Sequence, residues 1–154
     1  MPSTPSHPVS SFVILLNRLS LGLYFAIAGW GKLLGEFNNG FGSFYRSDSF
    51  RGLQPSWLPD FAAAPYGYAL PALELVLGVL LVIGLFGRIA ALGVALVLIS
   101  IALALLDAGR YFDGPGPYHH TAVMITLAIM LALIGPGGFS IDAFRGKGKS
   151  KPAG

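Results

Sequence analysis

An all-α membrane protein, built as a bundle of four transmembrane helices, is the fold class this sequence predicts. Three observations carry that expectation. Of 154 residues, 54% are hydrophobic and only 11% charged, against about 25% charged in soluble domains. Mean hydropathy is +0.68. Four apolar runs of about 17–23 residues each have the length that crosses a bilayer core of roughly 30 Å.

Residues 1–10 are rich in Pro and Ser and read as a flexible arm. The first span runs from about Phe12 to Leu34. Ala26-Ile27-Ala28 resembles a signal-peptidase site, but the segment is long, holds Arg18 in its body and lacks a basic start, so an uncleaved helix is expected. The second span begins near Pro65 or Pro71 and runs to about Phe86. Pro71 suits the first turn of a helix, where its missing N–H is harmless. The third span runs from Arg88 to about Leu106, and the short break at Gly87-Arg88 makes spans two and three a tight hairpin. The fourth runs from about Tyr118 to Ile134 and stops at Pro136-Gly137-Gly138. The helical domain is then residues 11–144, followed by a basic tail, residues 145–154.

Four spans place both termini on one side of the membrane. Arg88 and the tail cations Arg145, Lys147, Lys149 and Lys151 fall on that side, which assigns both termini to the cytoplasm. The tail meets anionic lipid headgroups, and no pattern in the chain points to nucleic acid. The opposite, outer loop, about residues 36–64, carries Phe37, Phe41, Phe44, Tyr45, Phe50, Trp57 and Phe61. It reads as an interfacial belt, as a lid over a cavity between the outer helix ends, or as a docking face.

The chain has no cysteine. That excludes thiolate catalysis, disulfide exchange, iron–sulfur ligation and cysteine-bound zinc within this subunit. No serine–histidine–acid triad, nucleotide loop or zinc motif is readable. His119 and His120 are adjacent, about 100° apart on a helix, so both cannot easily ligate one iron. The expectation is no metal, no resident cofactor and no enzyme activity in the isolated chain.

The informative residues are the ionisable ones in or at the ends of the apolar runs. A charge near the bilayer centre costs at least about 2.5–3.5 kcal/mol, so such residues face a protein interior and find partners. Arg18 to Lys32 is fourteen residues, and so is Glu74 to Arg88. Fourteen helical steps return to within roughly 40° of the start and climb about 21 Å. Each pair therefore shares one helix face. In antiparallel neighbours Lys32 lies level with Glu74, and Arg18 with Arg88. Threading the other spans gives an outer layer of Lys32, Glu74, Asp107 and a histidine, His119 or His120. The inner layer is Arg18, Arg88 and Asp142, with Asp142 expected to accept hydrogen bonds from an arginine. The stripes Arg18, Gly22, Phe25, Gly29, Lys32 and Glu74, Gly78, Leu81, Leu85, Arg88 follow a packed seam, with glycines allowing close backbone approach. Two readings of the layers stay open: ion pairs that lock the bundle, or a polar pocket for a quinone headgroup, an anion or a proton relay.

Several motifs resemble the DoxX family of small bacterial four-helix membrane proteins. Leu16-Asn17-Arg18-Leu19-Ser20-Leu21-Gly22 and Ala28-Gly29-Trp30-Gly31-Lys32-Leu33 are similar to the family's first-helix pattern. Pro71-Ala72-Leu73-Glu74-Leu75-Val76-Leu77-Gly78 and Gly84-Leu85-Phe86-Gly87-Arg88 are similar to its Leu-Glu-Leu…Gly-Arg core. Gly137-Gly138-Phe139-Ser140-Ile141-Asp142 is like its ending. The resemblance implies a bacterial inner-membrane bundle. Relatives include a subunit of thiosulfate:quinone oxidoreductase, which implies an accessory subunit of a quinone-linked redox complex, with protein partners in the bilayer. In that reading Lys32 donates to a quinone carbonyl, Glu74 exchanges a proton, and Trp30 or the loop aromatics flank the ring. The alternatives are a structural or assembly protein and a small-solute or ion carrier. The sequence sets no oligomeric state.

Overall fold

The computed structural model describes residues 8–112 and 120–147. The described residues form an all-helical chain: α1 (Pro8–Asn39), α2 (Ser43–Arg46), α3 (Asp48–Arg51), α4 (Asp60–Ile83), α5 (Gly87–Asp107), α6 (His120–Ile134) and α7 (Ile141–Lys147). Among them three helices are long and apolar enough to cross a membrane, α1, α4 and α5. The protein is a multi-pass membrane protein. The fourth apolar run forms α6, of 15 residues. Tyr118 and His119, where that run was expected to begin, lie outside the described residues, as does most of the arm and of the tail.

α1 runs past Leu34, where the sequence ended the span, and Glu36 in its last turns anchors the start of α2. The Glu36 carboxylate accepts from the amides of Gly42 and Phe44 (2.8 Å for the latter), which docks α2 against the end of α1. Gly40 and Gly42 supply the positive φ angles of this turn. α4 also starts earlier than either proline. Pro59 precedes it, Asp60 sits in its first turn, and Pro65 and Pro71 both lie inside it. A proline inside a spanning helix is tolerated where neighbouring helices and local adjustment satisfy the freed backbone group, and Pro71 is fully buried against α1.

The hairpin between α4 and α5 breaks at Gly84, ahead of the expected Gly87-Arg88. Gly84 takes φ 70°, its N–H bonds Leu81, and the Leu85 N–H bonds the Leu80 carbonyl at 3.1 Å. This pairing closes a helix end on a left-handed residue.

α1 packs chiefly on α4, and α6 on α5. The α1–α4 contact is made backbone to backbone. A Cβ on Gly22 would meet the Gly78 carbonyl at 3.0 Å, and one on Gly29 would meet the Pro71 carbonyl at 2.8 Å. The core is continuous from Leu21 and Phe25 of α1, through Leu81 of α4, to Ala91, Val94 and Leu98 of α5 and Ala128 of α6. A second cluster joins Tyr45 and Phe50 of the α2–α3 segment to Ala63 of α4. Gly67 makes room for it, since a Cβ there would lie 2.6 Å from the Tyr45 ring. Phe37, Phe41, Trp57 and Phe61 stay exposed.

Candidate functional site

The close approach of α1 and α4 sets the register of their charges. Lys32 Nζ donates to both oxygens of Glu74, each at 2.5 Å. The Glu74 side chain is 4% exposed and that of Lys32 26%. An ammonium has three N–H donors, so the pair leaves one for another group. The Phe44 ring lies beside it, its centroid 4.9 Å from Nζ. Phe44 reaches this point because Glu36 holds the start of α2.

Lys32 forms part of the wall of three spaces. One, of about 260 Å³, lies between the α2–α3 segment and helices α4 and α5, against Phe44, Phe50, Leu70, Tyr66, Ser100 and Ala104. A second, of about 120 Å³, runs toward α6 and is lined also by Glu74, His120 and Thr121. The third is an open groove of about 590 Å³ along Gly31, Gly35 and Ser43. A Cβ added at Gly31 or Gly35 would touch nothing within 4 Å.

The space of about 260 Å³ is mostly apolar, with Lys32, Ser49, Gln54 and a hydroxyl pair as its polar members. Tyr66 Oη lies 2.5 Å from Ser100 Oγ, and Ser100 Oγ donates to the Val97 carbonyl at 2.7 Å. Neither hydroxyl was singled out from the sequence. The available signal was weak: Ser100 is the only hydroxyl on α5, which is otherwise apolar between Arg88 and Asp107, and Tyr66 lies one to two helical turns before Pro71 and Glu74.

Of the other expected members of the outer layer, Trp30 and Asp107 stand apart. Trp30 is 52% exposed; two residues before Lys32, it lies about 200° around the helix. The Asp107 carboxylate accepts from the Ser56 amide at 2.6 Å and the Ser56 hydroxyl at 3.2 Å, tying the end of α5 to the segment before α4. His120 reaches the smaller cavity, while His119 lies outside the described residues. Among the described residues no three His, Asp or Glu side chains gather as metal ligands.

At the other end of the α1–α4 pair the expected layer is rearranged. Arg18, 3% exposed, donates to the carbonyls of Pro136 at 2.8 Å and Phe139 at 2.6 Å. Arg88 is exposed, with its guanidinium toward the Ile134 carbonyl at 3.4 Å. The break at Gly84 places Arg88 on α5, so the fourteen-residue phase from Glu74 does not carry through. Asp142 accepts no hydrogen bond from either arginine. Its carboxylate takes the Phe86 and Gly87 amides, at 3.0 and 2.8 Å, where α5 begins and a negative charge is favoured. It lies near enough to Arg18 to attract it electrostatically.

Fold and site together define a helical multi-pass membrane protein with, among the described residues, a partly buried, cavity-lining ion pair. The DoxX family model matches residues 13–108, and the chain belongs to the DoxX family. A second family model, described as TQO small subunit DoxD, matches residues 69–151. No curated protein and no solved structure matches the chain.

Proposed function

We propose that the protein is an accessory subunit of a quinone-linked redox complex of the bacterial inner membrane, and that its cavity beside Lys32 receives a quinone headgroup. The observation that carries this reading is the placement of Lys32, held by Glu74, in the wall of a largely apolar space of about 260 Å³. That space is just below the usual range of ligand sites, roughly 300–1,000 Å³, a size for a single ring. The match to the TQO small subunit supports the link to quinone; TQO denotes thiosulfate:quinone oxidoreductase.

The residues fit a ring of that kind. Phe44 and Phe50 offer flat apolar walls, and the third N–H of Lys32 is a donor for a ring oxygen. Quinone becomes quinol by taking two electrons and two protons. The electrons come from a redox partner protein. Lys32 is the group here that can pass a proton to a ring oxygen beside it, and Glu74, bonded to Lys32, can hand a proton on to it. The α2–α3 segment acts as the lid. Trp30, facing outward, has no part in the site.

In this reading α6 is the fourth spanning segment. Its 15 residues rise about 22 Å, against a core of roughly 30 Å. Both termini are then cytoplasmic, and a reporter fused after Gly154 is active on that face; activity on the periplasmic face alone would contradict the topology. For the site, the wild-type chain retains a quinone through purification, and Lys32→Ala and Glu74→Ala both lose it. Retention undiminished in both variants favours a pair that only locks the bundle.

A further inference from the structure

The hydroxyl pair on the far wall of the cavity fixes more than its shape. A serine hydroxyl has one proton. Ser100 spends it on the Val97 carbonyl at 2.7 Å. The 2.5 Å contact between Ser100 and Tyr66 must then run from the Tyr66 hydroxyl to Ser100 Oγ. Tyr66 has no proton left, and its oxygen can only accept. Lys32, also in the wall, can only donate. Of the remaining lining, Gln54 gives its amide hydrogens to the Leu58 carbonyl and to Asp60, at 3.1 and 3.0 Å, so only its oxygen is left as an acceptor. Ser49 lies at the exposed edge, and Phe44, Phe50, Leu70 and Ala104 are apolar.

From this polarity we infer that the cavity selects the reduced, hydroxyl-bearing form of a one-ring ligand over its oxidised form. The inference rests on the quinone reading above. A quinol can place one hydroxyl proton on Tyr66 Oη while its other oxygen accepts from Lys32. A quinone has acceptors only. Its second carbonyl faces the lone pairs of Tyr66, or else pulls the Tyr66 proton away from Ser100. The first opposes two acceptors and the second gives up the Tyr66–Ser100 hydrogen bond, and a net loss of one hydrogen bond corresponds to about tenfold in affinity. A tenfold preference for the reduced form raises the midpoint potential of the bound two-electron couple by about 30 mV.

The two hydroxyls then have opposite consequences when removed. Tyr66→Phe deletes the acceptor, so the quinol loses its advantage. Ser100→Ala frees the Tyr66 proton, which turns to the ligand and favours a carbonyl. A purely space-filling cavity responds to neither change in this way.

The test is equilibrium binding, by titration calorimetry under anaerobic conditions, to the full chain in lipid nanodiscs. The probes are a decyl-substituted benzoquinone, its quinol and the quinol's dimethyl ether. Wild type is expected to bind the quinol about tenfold tighter than the quinone, and the dimethyl ether no better than the quinone. Tyr66→Phe should abolish the preference, and Ser100→Ala should abolish or invert it. Equal binding of quinone and quinol by wild type, or an unchanged preference in Ser100→Ala, overturns this inference and leaves the quinone site standing. Binding of neither ring by wild type overturns the quinone reading and this inference with it.

Discussion

The helices α1 and α4 hold a cation at each end of their contact, half-buried Lys32 and buried Arg18, and the two ends satisfy it in different ways. Lys32 meets a side-chain carboxylate, keeps one N–H in hand and faces open space. Arg18 meets two backbone carbonyls of the segment between α6 and α7 and is closed in by Gly84 and Ser140. A charge paired with a side chain can exchange partners or protons with a ligand. A charge spread over carbonyls of a connecting segment holds that segment in place. The first arrangement suits a binding site and the second a fastening, although both residues look alike in the sequence.

Substitutions sharpen that contrast. Arg18→Ala removes two hydrogen bonds from a charged donor, at roughly 1.5–3 kcal/mol each, and no second change at Asp142 should restore the loss, since Asp142 serves α5. Glu74→Ala should cost about 3 kcal/mol, the lower end for a broken buried pair, and the double variant Lys32→Met, Glu74→Leu should recover most of it. Unfolding in mixed micelles measures both. Recovery at the Arg18 end, or none at the Lys32 end, would erase the distinction.

The glycines of the two helices separate in the same way. Gly78→Ala forces a methyl group into the Ala26 backbone and is expected to cost about 1–3 kcal/mol. Gly31→Ala meets nothing and should stabilise the helix by about 0.5–1 kcal/mol. The same unfolding assay checks the opposite signs. A loss at Gly31 equal to that at Gly78 would mean that the open groove is a packed interface.

Much of the α1–α4 contact was legible in the sequence, because Lys32, Gly29, Gly22 and Arg18 lie on one helical face and Glu74 and Gly78 on another. Periodicity within a single helix carries that information. The phase from Glu74 to Arg88 failed because a glycine three residues before the expected break can take φ 70° and end the helix. Asp142 was placed near the right end but with the wrong partner. The N–H groups at the start of α5 compete with an arginine for any nearby carboxylate, and local spacing does not reveal which wins. Tyr66 and Ser100 went unseen because hydroxyls in apolar helices commonly bond their own backbone, and only the packing of α4 on α5 joins them. Asp107 was drawn away by Ser56, fifty-one positions distant, a contact no helical pattern anticipates.

The claim that the Lys32 end is a ligand site can be tested without touching either charge. Ala104 lines the cavity on α5, and Ala104→Trp fills the space while leaving the Lys32–Glu74 pair in place. Mass spectrometry of small molecules released from the purified chain should then find a one-ring quinone with wild type and none with Ala104→Trp. Equal quinone in both, or none in either, would contradict a binding site at Lys32 and leave both ends of the α1–α4 pair as fastenings.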